Sequence, residues 1–120
     1  MQVKRVVTSF IESGGRVLIL KRSGKVRSYQ GRWAGISGYL EGGEEPFNRA
    51  LKEIEEETGL QKDKVWLIRI GEPLPAYDKV VDILWIVQPY LFTTESHDIQ
   101  LDWEHIEHRW IKPEEIVNYP

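Results

Sequence analysis

The stretch GYLEGGEEPFNRALKEIEEETGL, residues 38–60, sets a glycine-rich turn directly in front of an acid-rich segment, and its reading decides the fold. Gly38, Gly42 and Gly43 suit tight turns and close backbone approach. Glu44, Glu45 and Pro46 then open a helix, because acidic groups complement the positive helix end and Pro lacks only an N–H that the first turn leaves unpaired. The helix stops near Thr58-Gly59, where Gly can take the left-handed cap conformation. On a 3.6-residue period Phe47, Ala50, Leu51, Ile54 and Thr58 share one face, while Glu53, Glu56 and Glu57 gather on another. Like charges at this spacing repel and weaken an isolated helix. A cation reverses that penalty, and carboxylate oxygens are the preferred ligands of Mg2+, which completes its shell with phosphate oxygens and water. A solvated glutamate face explains the acids alone but not the glycine-rich turn before them.

Working outward, Val3, Val6, Val7, Phe10 and Ile11 are followed by a Ser13-Gly14-Gly15 turn and the apolar run at 17–20, the pattern of a β-hairpin. Residues 21–30 turn polar and basic, with Lys21, Arg22, Lys25 and Arg27, and read as a flexible loop. Trp33, Ile36 and Tyr39 stand among glycines and suggest short strand segments. Beyond the helix, residues 65–70 and 80–90 are rich in apolar and β-branched side chains and read as core strands. Between them, residues 71–78 form a Pro-rich connection. A polar loop at 93–100 leads to a short strand at 109–111, and Pro113, Glu114 and Glu115 start a small terminal helix. Strands around one strong helix and a weaker terminal one predict a mixed α/β sandwich built on a core sheet.

With 120 residues the chain fits one domain, 1–120. A formal net charge of -3 gives no broad attraction to nucleic acid or anionic membranes, so a polyanionic small substrate needs local help from a metal or from placed Arg and Lys. The absence of cysteine excludes disulfide and thiol chemistry. No apolar run is long enough to span a bilayer and no export signal is evident, so a cytoplasmic location without a membrane partner is expected.

Residues 38–60 resemble the Nudix box: Gly, five residues, Glu, seven residues, Arg-Glu, an aliphatic residue, any residue, Glu-Glu, any residue, Gly and an aliphatic residue. Gly38, Glu44, Glu53, Ile54, Glu56, Glu57, Gly59 and Leu60 fill their positions. Lys52 departs from the pattern: it stands where the family usually has an Arg that orients a metal-binding glutamate, and an ammonium lacks the guanidinium's planar fork. The resemblance implies an α/β/α sandwich with a mixed central sheet. It also implies metal-dependent attack of water on phosphorus in an X-diphosphate-nucleoside, with magnesium (Mg2+) as cofactor or Mn2+ in its place. On this resemblance Glu56 and Glu57 supply metal ligands, and Glu53 is a further ligand or the proton acceptor. The backbone carbonyl of Ser37 is another candidate ligand. Gly38 and Gly59 are structural, and Glu44 stabilises the loop–helix junction through Lys52 or reaches a metal at its edge.

Outside the box, Glu104 in Trp103-Glu104-His105 resembles the late-loop carboxylate of the family, a metal ligand or general base, with Glu107 as its neighbour and competitor. His105 and His108 are three apart, but with no Cys or HExxH pattern they read as polar contacts, supporting partners of a ligand, or surface residues. For substrate contacts the candidates are Arg22 and Arg27 toward phosphates and Trp33 and Tyr77 toward a base. Tyr77, 17 residues beyond Leu60, lies near a tyrosine associated with diadenosine-polyphosphate hydrolysis, whereas Pro75 lies near a proline associated with ADP-ribose hydrolysis. The leading expectation is a nucleoside triphosphate or dinucleoside polyphosphate substrate. An ADP-ribose or nucleotide-sugar pyrophosphatase, or a catalytically weak nucleotide-binding regulatory domain, are the alternatives. A homodimer is compatible with this reading, and the acidic balance argues against nucleic acid.

Overall fold

Apolar alternation along the first strand sets the molecule's two sides. In the computed structural model, which describes residues 1–120, β1 (Gln2–Ser13) buries Val7, Ser9 and Ile11 on one face and presents Phe10 to the other. It turns through Gly14 and Gly15, both at positive φ, into β2 (Arg16–Arg22), as the hairpin pattern predicts. Two short strands follow, β3 (Trp33–Ala34) against β2 and β4 (Ile36–Tyr39) against β1. The helix α1 spans Pro46–Thr58. After it come β5 (Trp66–Ile70), β6 (Leu74–Asp78), β7 (Ile83–Thr93), β8 (His105–Ile111) and a short 3-10 helix at Pro113–Asn118.

These strands form one mixed sheet in the order β3-β2-β1-β7-β5, with β4 added to β1, β6 to β7 and β8 to β2. The β1–β7 pair is parallel and runs from Gln2 opposite Ile83 to Glu12 opposite Thr93; the other pairs are antiparallel. On the α1 side, Ala50 and Ile54 of the helix join Val7, Ile11, Leu18, Leu20, Ile36, Tyr90 and Phe92 in the core. Phe47 meets Tyr90 edge-on and lies tilted over Phe92, each at 5.9 Å between ring centroids. The other side carries the terminal 3-10 helix, and a groove of about 390 Å³ lies among Phe10, Ile19, Pro89, Leu91, Ile111 and Ile116. No helix is long and apolar enough to cross a membrane.

Four sequence expectations change. Residues 66–70 are not a core strand: every residue of β5 is exposed, because it pairs on one side only, with β7, and no helix covers it. The Pro-rich connection contains a strand, β6, which forms a hairpin with β7; Pro75 is tolerated there because β6 is an edge. The terminal helix is 3-10 in geometry and six residues long. The basic loop is anchored rather than free, since Val26 and Ser23 are buried and the Ser23 N–H and hydroxyl donate to the carbonyls of Glu104 and Trp103.

Candidate active site

The local sequence builds α1 by a defined start and stop. The Glu45 carboxylate accepts from the N–H groups of Phe47 and Asn48 at 3.1 and 2.9 Å, and Gly59 closes the helix at φ 78°. Between these ends, burial of Ala50, Ile54 and Thr58 fixes the helix rotation. That rotation turns Glu56 to solvent, leaves Glu53 half-buried and drives Glu57 inward until only 2% of it is exposed. The three glutamates share a side but not an environment.

Glu57 is the most perturbed group of the site. Its Oε1 lies 3.5 Å from His105 Nε2, while its Oε2 is buried with no hydrogen-bond partner. Burial, then the Glu53 carboxyl beside it and the charges of Asp102 and Glu104, push its pKa up to about 10. His105 is itself buried, and its Nδ1 lies 2.9 Å from Asp102 Oδ1. With Nδ1–H donated to Asp102, the ring turns Nε2 toward the Glu57 carboxyl. His105 is thus the supporting partner of a box glutamate. Asp102, which the sequence reading did not single out, holds the ring in place; its spacing of three from His105 was the available signal.

Glu53 is raised too, by burial first, against the lowering effects of its bonds to Glu57 and Arg49, with the Glu56 charge raising it further. It lies directly beneath β4: a Cβ on Gly38 would land on the Glu53 carboxyl group. This explains the glycine without appeal to its backbone angles. Ser37 precedes it on β4, with its hydroxyl 3.0 Å from that of Thr8. Glu104 sits in the turn just before β8, close enough for its charge to act on Glu57.

The expected partnership of Glu44 with Lys52 is replaced by one with Arg49. Arg49 Nε donates to both Glu44 oxygens at 3.1 and 3.0 Å, its Nη2 pairs with Glu44 Oε2, and its Nη1 reaches Glu53 Oε1 at 3.1 Å. Arg49, more than any other influence, holds the Glu44 carboxyl below its ordinary range, helped by the Glu41 N–H. Lys52 is exposed and makes no hydrogen bond or ion pair. The helical pattern made Arg49 findable, four residues before Glu53, but the sequence reading passed over it.

The structure gathers Glu53, Glu56, Glu57 and Glu104 with Ser37 and Gly38 nearby. Arg22 joins this end, because its place on β2 is opposite His105; its Nε donates to the Ser28 carbonyl. Arg27 is exposed in the following loop. Trp33 packs edge-on against Tyr119 at 5.3 Å beneath the Arg109 guanidinium, and Tyr77 donates its hydroxyl to Asp82 at 2.6 Å. Neither ring is in contact with the box carboxylates. A second aromatic group, unread in the sequence as a unit, brings Tyr39 within 5.9 Å of Trp85 with Lys4 over both rings. Nearby, Tyr29 donates to Asp78 at 2.8 Å.

No group of three His, Cys, Asp or Glu side chains is arranged to hold an ion unaided. The donor chemistry nevertheless fits a divalent cation. Glu57 offers a buried oxygen without a partner, and it and Glu53 each carry a raised pKa that a nearby positive charge would lower. Mg2+ commonly takes only one or two protein carboxylates, leaving other positions to substrate and water.

Comparison with known proteins agrees with this geometry. The curated nucleoside triphosphatase NudI of Escherichia coli O81 (strain ED1a) is 26% identical over 125 residues, an alignment covering 99% of this chain and 89% of NudI. Among solved structures, a MutT protein from Methanosarcina mazei Go1 superposes with a TM-score of 0.84 at 24% identity, over 98% of this chain and 82% of that one. A C. elegans Ap4A hydrolase shares the fold at a TM-score of 0.73 and 20% identity, over 94% of this chain and 83% of that one. The NUDIX domain model matches residues 1–120, and the chain belongs to that family of hydrolases of nucleoside diphosphate-linked compounds, which generally use divalent metals.

Proposed function

We propose that this chain is a Mg2+-dependent pyrophosphohydrolase of nucleoside triphosphates, with Mn2+ able to substitute. The observation that carries the reading is Glu57: a buried carboxyl with an unpartnered oxygen, crowded by Glu53, Asp102 and Glu104, is costly unless a cation sits beside it. Glu53, Glu56 and Glu57 would hold the ion, with the Ser37 carbonyl at its edge. When bound, the metal supplies charge screening for the phosphate chain and lowers the pKa of water.

The chain's own groups then divide the work. His105, fixed by Asp102, keeps the Glu57 carboxyl aimed at the site. Glu104, in the turn before β8 and near Glu57, would take the proton of the attacking water. Arg22, opposite His105 on β2, would pair with terminal phosphate oxygens through its free guanidinium nitrogens. Similarity to NudI, whose name specifies a nucleoside triphosphatase, supports this substrate class over ADP-ribose and sugar nucleotides.

The test is a purified-protein screen over nucleoside triphosphates, dinucleoside polyphosphates, ADP-ribose and sugar nucleotides. Products are mapped by mass spectrometry in ¹⁸O water. The expected result is release of nucleoside monophosphate and pyrophosphate from a triphosphate, abolished by chelator and reduced by at least about a hundredfold in Glu57→Gln. Preferred turnover of ADP-ribose would overturn the substrate assignment; full activity in Glu57→Gln would overturn the role of that residue.

A further inference from the structure

We propose that Arg49 is a positioning residue for Glu53, performing from one turn earlier in α1 the orienting task of the family arginine whose position Lys52 occupies here. The inference rests on the reading of Glu53 as metal-facing. Helical side chains lean toward the N-terminus, so Glu53 lies back over Arg49, four residues before it. There the guanidinium faces two carboxylates at once. Its Nη1 holds Glu53 Oε1, and its Nε and Nη2 grip Glu44.

The Glu44 grip makes this more than a local ion pair. Glu44 Oε1 also accepts the Glu41 N–H at 2.8 Å, so the carboxylate is tied to the glycine-rich turn and cannot swing with the arginine. Arg49 is therefore clamped at one end to the loop and at the other to Glu53, and its side chain is only 15% exposed. Gly38 packs directly on the Glu53 carboxyl, where a Cβ would not fit. Arg49 bonds only Oε1, so the guanidinium fixes the Glu53 carboxyl from one oxygen and leaves the other unengaged by the clamp. A lysine has no planar fork and could not serve both acids in this geometry. With both Glu44 oxygens occupied by Arg49, the structure assigns Glu44 to holding the clamp and not to ligating.

The test compares wild type, R49A, R49K and the double variant R49A/K52R. Mn2+ affinity of the nucleotide-free protein is read by electron paramagnetic resonance, kcat and KM by turnover, and folding by thermal melting. In R49A we expect Mn2+ affinity to fall about tenfold and kcat about ten- to a hundredfold, the range seen when a partner of a metal ligand is removed. KM for the nucleotide should change less than about threefold. R49K should stay near R49A, and R49A/K52R should recover most of both losses, since position 52 is a neighbour of 49 on the helix surface. Wild-type Mn2+ affinity in R49A overturns the proposal, as does R49K behaving like wild type. If R49A does not fold, the R49K arm alone decides in the same way. A wild-type protein that binds Mn2+ but hydrolyses no nucleotide breaks the proposed function and leaves this comparison standing. Equal Mn2+ affinity in wild type and R49A, in an enzyme that turns over, breaks only the assignment of Arg49.

Discussion

The two sides of the sheet are built to different standards. On the α1 side, helix and strands close over a core in which Val7, Ile11, Ile54 and Phe92 have no exposed surface. On the other side, a six-residue 3-10 helix covers only part of the sheet and an apolar groove stays open, and at the sheet's edge Trp66, Ile68 and Ile70 of β5 are more than half exposed. Rigidity is concentrated where carboxylates must be held against their mutual repulsion. A site made of like charges needs a stiff support, and the core beneath α1 supplies it.

The contrast can be broken most directly by matched truncations. Ile54→Ala on the core side should destabilise the fold by about 2–5 kcal/mol, as for other buried large-to-small changes, whereas Ile70→Ala on β5 should stay within about 0.5 kcal/mol. Urea titration of the two variants checks this; equal losses would mean that β5 is covered in solution. Gly38→Ala comes next. A methyl group driven into the Glu53 carboxyl should cost about 1–3 kcal/mol and displace that carboxylate, so a lowered urea midpoint should accompany reduced Mn2+ affinity.

The last effect concerns pH. Glu57 titrates near 10 in the metal-free fold against an ordinary value of 4.5, so the native state keeps a proton that the unfolded chain releases. Its contribution to stability is present in full below about pH 4.5 and is lost progressively as pH rises toward about 10. Glu57→Gln removes that slope. Metal-free melting curves should show the variant more stable than wild type at about pH 8 and flatter with pH. Identical pH profiles for the two proteins would contradict the burial of this charge. Added Mg2+ should stabilise wild type more than the variant.

The same two sides differ in how much of them the sequence disclosed. The limits of α1, its buried face and its acidic side were all legible, because caps and a 3.6-residue period act locally. Glu57 was grouped with Glu53 and Glu56 on one side of the helix, but its depth was not legible: it depends on where β8 brings His105, a contact across 48 residues of chain. The role of Arg49 was hidden by the prominence of Lys52 at the signature position. At the sheet's edge, β5 was read as core because apolar composition cannot distinguish an edge strand from a central one. Strand β6 was missed because prolines mark turns unless the partner strand is known; Pro75 needs no ladder N–H on an edge. Trp33 and Tyr77 were chosen as aromatic candidates by position alone, and their partners, Tyr119 and Asp82, come from elsewhere in the fold.

The parallel pairing of β1 with β7 has a consequence for how the protein is made. Residues 2–12 find their long partner only among residues 83–93, so the centre of the sheet cannot close until about three-quarters of the chain has been synthesised. Phe47 of α1 packs on Tyr90 and Phe92 of that late strand. The acidic helix therefore waits, complete in sequence but without its bed, and such long-range closure is intrinsically slow. During that interval its apolar stripe is open to solvent, which makes the nascent chain, rather than the finished enzyme, the state in which aggregation threatens.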